Sequence, residues 1–219
     1  MAHSSDPHIP ILVVDPDPAP ARLIQRIATD HLGDDARVTH APDPPAAQPL
    51  VNRPEPFIAF LEYHFPKHTA LDVLEPLQRN HHPAATAVLA AQGNAYIAAE
   101  VTRAGADAYL AKADLSPAVL RSTLDQLFDL ARLRAAQHAL HLHTRRALAS
   151  LTPRENEVLT HIIAGLTTRQ IADRLHRSEK TIKIHRANLM RKMNANTAGH
   201  LVRLALDAGH THRPSHTPE

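Results

Sequence analysis

The chain contains no cysteine among its 219 residues. Disulfide bonds, zinc–thiolate sites and cysteine nucleophiles are therefore excluded, and nothing in the composition favours an oxidising compartment. Near the start, an apolar run of only four residues, 11–14, is closed by an acid, which matches neither a signal peptide nor a membrane span. We therefore expect a cytoplasmic protein with no membrane partner.

Motifs of enzyme active sites are also missing from the chain. There is no nucleophile elbow, no glycine-rich phosphate-binding loop and no acid pair with a hydroxyl. The six glycines all stand where helices end or turns are expected. We therefore expect a protein that is not an enzyme and that needs no cofactor.

The 18 histidines raise the question of a metal site. They cluster at 81–82, 138–143 and 210–216, but only the second cluster offers even a weak version of the paired spacing that a metal site on a helix needs. We therefore predict no metal site, and metal sensing stays an alternative.

Charge is distributed unevenly along the chain. The net charge is −6 over residues 1–120 and +5 over residues 151–219, with +3 between them. A basic C-terminal part indicates a polyanionic partner, of which nucleic acid is the simplest.

In the first half, short apolar runs alternate with amphipathic stretches, a pattern typical of a parallel sheet covered by helices. The five predicted strands, the second being the weakest, lie at 11–14, 36–40, 57–61, 87–90 and 108–110. The predicted helices between them lie at 17–33, 69–79 and 94–104. Six prolines between residues 41 and 56 leave room for at most a turn or two of helix there.

A longer helix is predicted from Pro117 to about Leu148, a stretch without glycine or further proline. Its apolar stripe at 120–131 is followed by a part rich in histidine and arginine. We interpret it as the last helix of a first domain extended into a linker, which either pairs with its copy in a dimer or is an ordinary surface helix. The stretch 209–219, rich in proline and histidine, is predicted to be disordered.

Four short helices are predicted after residue 151. They begin at 153, at 167 or 168, at 179 and at 197. Thr152 is expected to cap the first, with Glu155 as its reciprocal partner, and Ser178 to cap the third. Short apolar stripes on each helix predict a small helical core.

The third of these helices carries a polar and basic outward face. Ile182, His185 and Leu189 are expected to point inward, and we give His185 no functional role. A helix of this diameter fits a major groove, where small or flexible side chains reach base edges and basic ones neutralise phosphates. The predicted DNA-binding residues are Lys180, Thr181, Lys183, Ile184, Arg186, Ala187, Asn188 and Arg191, together with Thr168 and Arg169 on the second helix.

The segment 151–207 resembles the NarL/FixJ (LuxR-type) helix-turn-helix domain. The opening LTPRE, the pattern AGL-x-x-x-x-IA-x-x-L, the core TIKIH and the close HLVRLAL occur in order, and HRANLMRKM is similar to the FixJ branch. The resemblance implies base contacts by Lys183, Ile184 and Ala187, and a dimer contact on DNA by the fourth helix. It also implies phosphate contacts by Lys180, Thr181 and Arg191. A four-helix protein-interaction module is the alternative.

With this C-terminal part, the first half resembles a response-regulator receiver, a flavodoxin-like domain. Val14-Asp15, FLEYHFP and AGADAYLAK align with the motifs that hold the phosphorylation site in that family. The resemblance implies that Asp15 and Lys112 are retained and that Tyr109 is the switch aromatic. Three positions depart from the family pattern: Pro16 replaces an acid, Glu62 the phosphorylated aspartate and Ala90 a hydroxyl residue.

These departures predict a receiver that does not depend on phosphorylation. The Glu62 carboxylate lies one methylene, about 1.5 Å, further out, and a misplacement of about 1 Å lowers a rate roughly 100-fold. Pro16 removes one carboxylate from the Mg²⁺ site, although Asp17 could partly replace it.

Two hypotheses for control follow. In the first, which we favour, the receiver is a dimerisation or protein-binding domain controlled by abundance, a partner protein or a small ligand near the acidic pocket. In the second, Glu62 paired with Lys112 imitates the phosphorylated state and keeps the protein active. The missing hydroxyl at Ala90 weakens the second, because that hydroxyl normally senses the phosphate.

The sequence therefore predicts an α/β flavodoxin-like receiver with a five-stranded parallel sheet, joined to an all-α helix-turn-helix domain of four helices. The predicted boundaries are 1–120 for the atypical receiver, 121–148 for the linker, 149–208 for the DNA-binding domain and 209–219 for the tail. We predict a transcription regulator that binds two-fold symmetric sites in double-stranded DNA as a homodimer. A regulator that captures another regulator without touching DNA is disfavoured, because Lys183 and its basic neighbours are present.

Overall fold

The computed structural model describes residues 9–33 and 36–210. The chain divides into two compact units, residues 1–136 and 137–219. Most of the tail that we predicted to be disordered, 211–219, lies outside the described residues. No helix in the described part of the chain combines the length and the apolar character needed to cross a membrane.

Strands and helices alternate in the first unit, and its last helix continues beyond residue 136. The elements are β1 Ile11–Val14, α1 Pro18–Leu32, β2 Val38–Ala41, α2 Pro44–Val51, β3 Ile58–Glu62, α3 Leu71–Arg79, β4 Ala85–Ala90, α4 Ala95–Arg103, β5 Ala108–Ala111 and α5 Pro117–Ala149. The strands are parallel in the order β2-β1-β3-β4-β5. This is the flavodoxin-like order, which confirms the predicted fold class.

Each face of the sheet is covered by helices. Ile11 and Val13 of β1 point to one face, which α1 and α5 cover, whereas Leu12 and Val14 point to the other, which α2, α3 and α4 cover. Successive side chains of a strand point to opposite faces, so a strand buried on both sides is apolar at every position. That is why four consecutive apolar residues predicted β1 correctly.

Several elements differ from the prediction by one or two residues: β4 begins at 85 rather than 87 and α3 at 71 rather than 69. β2 lies at 38–41 rather than 36–40, and the Gln25 side chain on α1 binds the carbonyl oxygen of Ala36 and the amide of Val38. The proline-rich stretch holds α2, whose eight residues slightly exceed two turns. Two of its prolines stand in the first turn, where amide groups have no helical partner, and the Asp43 side chain caps that turn.

The second unit contains the four predicted helices. They are α6 Pro153–Ile163, α7 Thr168–Arg174, α8 Glu179–Lys192 and α9 Ala198–Asp207. Their core includes Leu159, Ile171, Ile182 and Leu189, and the end of α5 contributes Ala147. The third of these helices, α8, begins at the predicted residue 179 and has Met193 as its C-cap.

Candidate nucleic-acid interface and acidic pocket

A tight turn joins α7 to α8. His176 has a left-handed backbone with φ of 50°, and the Arg177 amide donates to the Ala172 carbonyl oxygen at 2.9 Å, which closes the end of α7. Ser178 then caps α8 by accepting a hydrogen bond from the Thr181 amide at 3.1 Å. This compact connection is the turn of a helix-turn-helix.

The outer face of α8 is polar, basic and open to solvent. All ten predicted DNA-binding residues lie at the surface, and none is buried. Six of them are exposed: Lys180, Lys183, Ile184, Ala187, Arg191 and Arg169. The other four are half-buried: Thr181, Arg186, Asn188 and Thr168. His185, which we expected to point inward, is half-buried as well.

Two members of this set stand out. Ile184 is 55% exposed although it is a large apolar side chain amid polar and cationic ones. A thymine methyl group is the apolar feature that a major groove offers to such a residue. Arg186 lies about 140° around the helix from the centre of this face by helical periodicity, so it is the member placed least well for a base contact.

A buried ion pair holds the end of α8 against the start of α6. Lys192 Nζ lies 2.6 Å from Glu155 Oε2 and donates to the Ser150 carbonyl oxygen at 3.1 Å. The same carboxylate forms the predicted capping box with Thr152. The hydrogen bond from Lys192 and those from Thr152 outweigh burial and lower the pKa of Glu155 to about 2. Lys192 was not among the residues that sequence reasoning selected.

The acidic pocket at the C-terminal edge of the sheet is occupied by a side chain of the protein itself. Lys112 Nζ lies 2.6 Å from Asp15 Oδ2 and 2.5 Å from Glu62 Oε2. Both carboxylates are buried. Burial acts to lower the pKa of Lys112, but the hydrogen bonds and charges of the two carboxylates outweigh it, so the pKa is raised.

The other oxygen of each carboxylate binds the backbone. Asp15 Oδ1 accepts from the Asp17 amide and Glu62 Oε1 from the His64 amide, both at 2.9 Å. The Asp17 carboxylate caps α1 by accepting from the Ala19 amide at 2.8 Å, so it is engaged at the helix start. In the ranges 9–33 and 36–210, no three histidine, aspartate or glutamate side chains are grouped as metal ligands.

The remaining predicted pocket residues lie at the ends of β1, β4 and β5. Pro16 is exposed and Ala90 is buried. The Tyr109 hydroxyl accepts from the Asn94 amide at 3.0 Å and donates to the Gln92 carbonyl oxygen at 3.1 Å. The half-buried ring of Tyr109 therefore ties β5 to the loop that precedes α4.

The chain is similar to known proteins over both units. Residues 149–205 match the family described as bacterial regulatory proteins, luxR family. The transcriptional regulatory protein FixJ of Bradyrhizobium diazoefficiens is 32% identical over 142 residues, which cover 64% of this chain and 67% of FixJ. The nitrate/nitrite response regulator NarP of Escherichia coli is 29% identical over 191 residues, 84% of this chain and 88% of NarP.

Among solved structures, the response regulator StyR has the same fold. It superposes with a TM-score of 0.69 at 24% identity and covers 90% of this chain and 97% of its own. FixJ is a transcriptional regulatory protein and NarP a response regulator.

Proposed function

The chain belongs to the family of FixJ/NarL-type response regulators and carries a LuxR-type DNA-binding domain, and we propose that its binding to DNA does not require phosphorylation of the receiver. It acts in the cytoplasm and binds two-fold symmetric promoter sites in double-stranded DNA as a homodimer, through α8. The atypical receiver comprises residues 1–120, and 121–148 form the linker to the DNA-binding domain at 149–208.

One observation carries the phosphorylation independence: Glu62 stands where the family has its phosphorylated aspartate, and Lys112 bridges it to Asp15 in the pocket. Two carboxylates and one ammonium group lie together there, and the ammonium group is a side chain of the protein rather than a bound ion. A buried carboxylate pair would repel itself strongly without a cation. Lys112 supplies that cation permanently, so the pocket is stable without any bound ion.

The chemistry of phosphoryl transfer is obstructed at the same place. The Glu62 carboxylate lies one methylene, about 1.5 Å, beyond the place of the aspartate, and Lys112 and the His64 amide hold its two oxygens there. Mg²⁺ demands near-octahedral oxygen ligation, and Pro16 offers no side-chain oxygen. Asp17, the one replacement, is engaged as the cap of α1.

A second candidate is favoured by the same contact. The 2.5 Å approach of Lys112 Nζ to Glu62 Oε2 is what an imitation of phospho-aspartate, and hence a constitutively active regulator, would require. The methyl group of Ala90 opposes it, because no hydroxyl is available there to respond. Control of the receiver by a partner protein, a small ligand or a metal is compatible with either candidate.

We expect DNA binding by the full chain to be unaffected by acetyl phosphate and Mg²⁺. The best fragment from a genome-wide capture with unphosphorylated protein is titrated with and without both reagents. The triple variant Pro16→Asp, Glu62→Asp, Ala90→Thr restores the family pattern and serves as the positive control for phosphate uptake. Wild-type binding that appears only after phosphorylation contradicts the proposal.

Glu62→Gln separates the two candidates. A receiver that only dimerises or binds a partner keeps its DNA affinity when Glu62 loses its charge, since the DNA-binding residues are elsewhere in the chain. A receiver in which Glu62 imitates a phosphate loses affinity in the same variant. The dissociation constant from the same titration is the measurement, and Asp17→Asn on the exposed cap is the matched control.

Lys183→Ala is expected to lower the affinity for the specific site by about 10- to 100-fold, the usual loss for one base-reading side chain. Lys180→Ala, at a phosphate, should weaken specific and non-specific binding alike and reduce the slope of log affinity against log salt by about one. Arg154→Ala on α6, where Arg154 pairs with Glu157, is the control. An unchanged specific affinity in Lys183→Ala would contradict the placement of α8 in the major groove.

A further inference from the structure

The loop between β3 and α3 is folded into a closed turn directly after Glu62. The Ala70 amide donates to the Tyr63 carbonyl oxygen at 3.1 Å, and the Phe65 amide to that of His68 at 3.0 Å. The Phe65 ring is buried in the core. This loop therefore has a defined shape that follows from its own contacts.

Tyr63 connects this loop to α4. Its hydroxyl donates to Glu100 Oε2 at 2.6 Å, across 37 residues of sequence. The hydrogen bond to Glu100, with a smaller effect of burial, raises the pKa of Tyr63 to about 12. The hydroxyl therefore keeps its proton at neutral pH and remains the donor, and neither residue was selected from the sequence.

Packing alone holds α4 only weakly. Val101 is the one buried side chain of this fully described nine-residue helix, and Tyr96 is 73% exposed. Helices this short are not stable on their own and need tertiary contacts. Beside Val101 and the half-buried Ile97, which packs against the same core, α4 is held by two tyrosine hydroxyls: Tyr109 binds at its N-terminal cap and Tyr63 at its middle.

We propose that the Tyr63–Glu100 hydrogen bond is a latch that fixes the position of α4 relative to the β3–α3 loop. The inference rests on the proposed phosphorylation independence, because it assigns the position of α4 to a contact within the receiver that needs no phosphoryl group. Two consecutive side chains of the segment 62–64 are held by contacts: Glu62 by Lys112 and the His64 amide, and Tyr63 by Glu100. The latch connects this segment to α4, a helix with a single buried side chain.

Tyr63→Phe tests the latch, because it removes one hydroxyl and keeps the ring. Amide hydrogen exchange of the full chain, followed by mass spectrometry, is measured on peptides from α4 and from residues 63–70. We expect exchange in both to accelerate at least about tenfold, since a hydrogen bond to a charged acceptor has that net strength. Tyr96→Phe removes a hydroxyl from the exposed ring on α4 and should change nothing.

Two results overturn the latch. One is exchange in α4 that is the same in Tyr63→Phe as in the wild type. The other is acceleration that spreads equally over α1, α5 and the sheet, because Tyr63 then supports the whole unit rather than α4. Glu100→Gln keeps the size of the acceptor and removes its charge, so an intermediate effect is expected and no effect contradicts the assignment.

DNA titration of the wild type distinguishes a failure of the latch from a failure of the proposed function. A wild-type response to acetyl phosphate contradicts the proposed function instead, and the exchange result then stands by itself as evidence for or against the latch.

Discussion

Replacing Glu155 with alanine is expected to lower the free energy of unfolding of the DNA-binding unit by about 2–4 kcal/mol, since a charge-assisted hydrogen bond contributes about 1.5–3 kcal/mol and a helix cap about 1 kcal/mol. The half-buried Lys192 ammonium loses the carboxylate at 2.6 Å. The cap of α6 is lost as well, because the same carboxylate accepts from the Thr152 amide at 2.8 Å. One substitution therefore weakens both the ion pair to α8 and the cap of α6.

The two units can be followed separately in the full chain. All three tyrosines, 63, 96 and 109, belong to the first unit, and the chain has no tryptophan. Urea unfolding followed by tyrosine fluorescence therefore reports the first unit, whereas far-ultraviolet circular dichroism reports helices of both. In Glu155→Ala, the dichroism transition should move to lower urea while the fluorescence transition stays in place.

The same carboxylate should make the unit sensitive to acid. The pKa of Glu155 is about 2 in the folded protein, below its ordinary value of 4.5. A lowered folded pKa means that the stabilisation is present above pH 4.5 and is lost as the pH falls towards 2. Glu155→Gln should therefore flatten the dependence of stability on pH in this window.

Glu157→Ala is the matched control for both measurements. Glu157 lies on the same helix and pairs with Arg154 at 2.7 Å, but both side chains are largely exposed. Exposed pairs contribute about 0.2–1 kcal/mol. If Glu155→Ala were no more destabilising than Glu157→Ala, the ion pair with Lys192 would not hold α8 in place.

The fold was largely predictable from local patterns. β1, β3 and β4 are mostly apolar runs, and three helices of the second unit begin directly after Thr152, Ser178 and Thr197, whose side chains cap them. These signals lie within a few residues of the element that they define. The proline-rich α2 was underestimated, because the position of each proline within a helical turn matters more than their number.

The side-chain pairs were not predictable, because each joins residues that are far apart in sequence. Lys112 meets Asp15 across 97 residues, Tyr63 meets Glu100 across 37 and Lys192 meets Glu155 across 37. The family resemblance brought Asp15, Glu62 and Lys112 to one pocket, and one hypothesis paired Glu62 with Lys112, but nothing in the sequence indicated that Lys112 also binds Asp15. Tyr63 and Lys192 have no local motif, and only the three-dimensional arrangement identifies their partners.

Arg134→Met is expected to destabilise the first unit by about 2–4 kcal/mol, because it removes charge-assisted hydrogen bonds to a largely buried carboxylate. The Arg134 guanidinium binds both carboxylate oxygens of Asp107, at 2.6 and 2.7 Å, and donates to the Ala84 carbonyl oxygen. Asp107 also accepts from the Thr86 amide at 2.9 Å. One side chain of α5 therefore joins the starts of β4 and β5, and methionine keeps its apolar stem without its donors.

Tyrosine fluorescence should show this loss in urea, because the first unit holds all three tyrosines. Arg121→Met changes an exposed arginine of the same helix and should leave the transition within about 0.5 kcal/mol of the wild type. In a double-mutant cycle, Asp107→Asn combined with Arg134→Met should be less destabilising than the sum of the two changes. Strict additivity would show that the two side chains act independently, and the part of α5 around Arg134 would then be held by the apolar stripe of the helix alone.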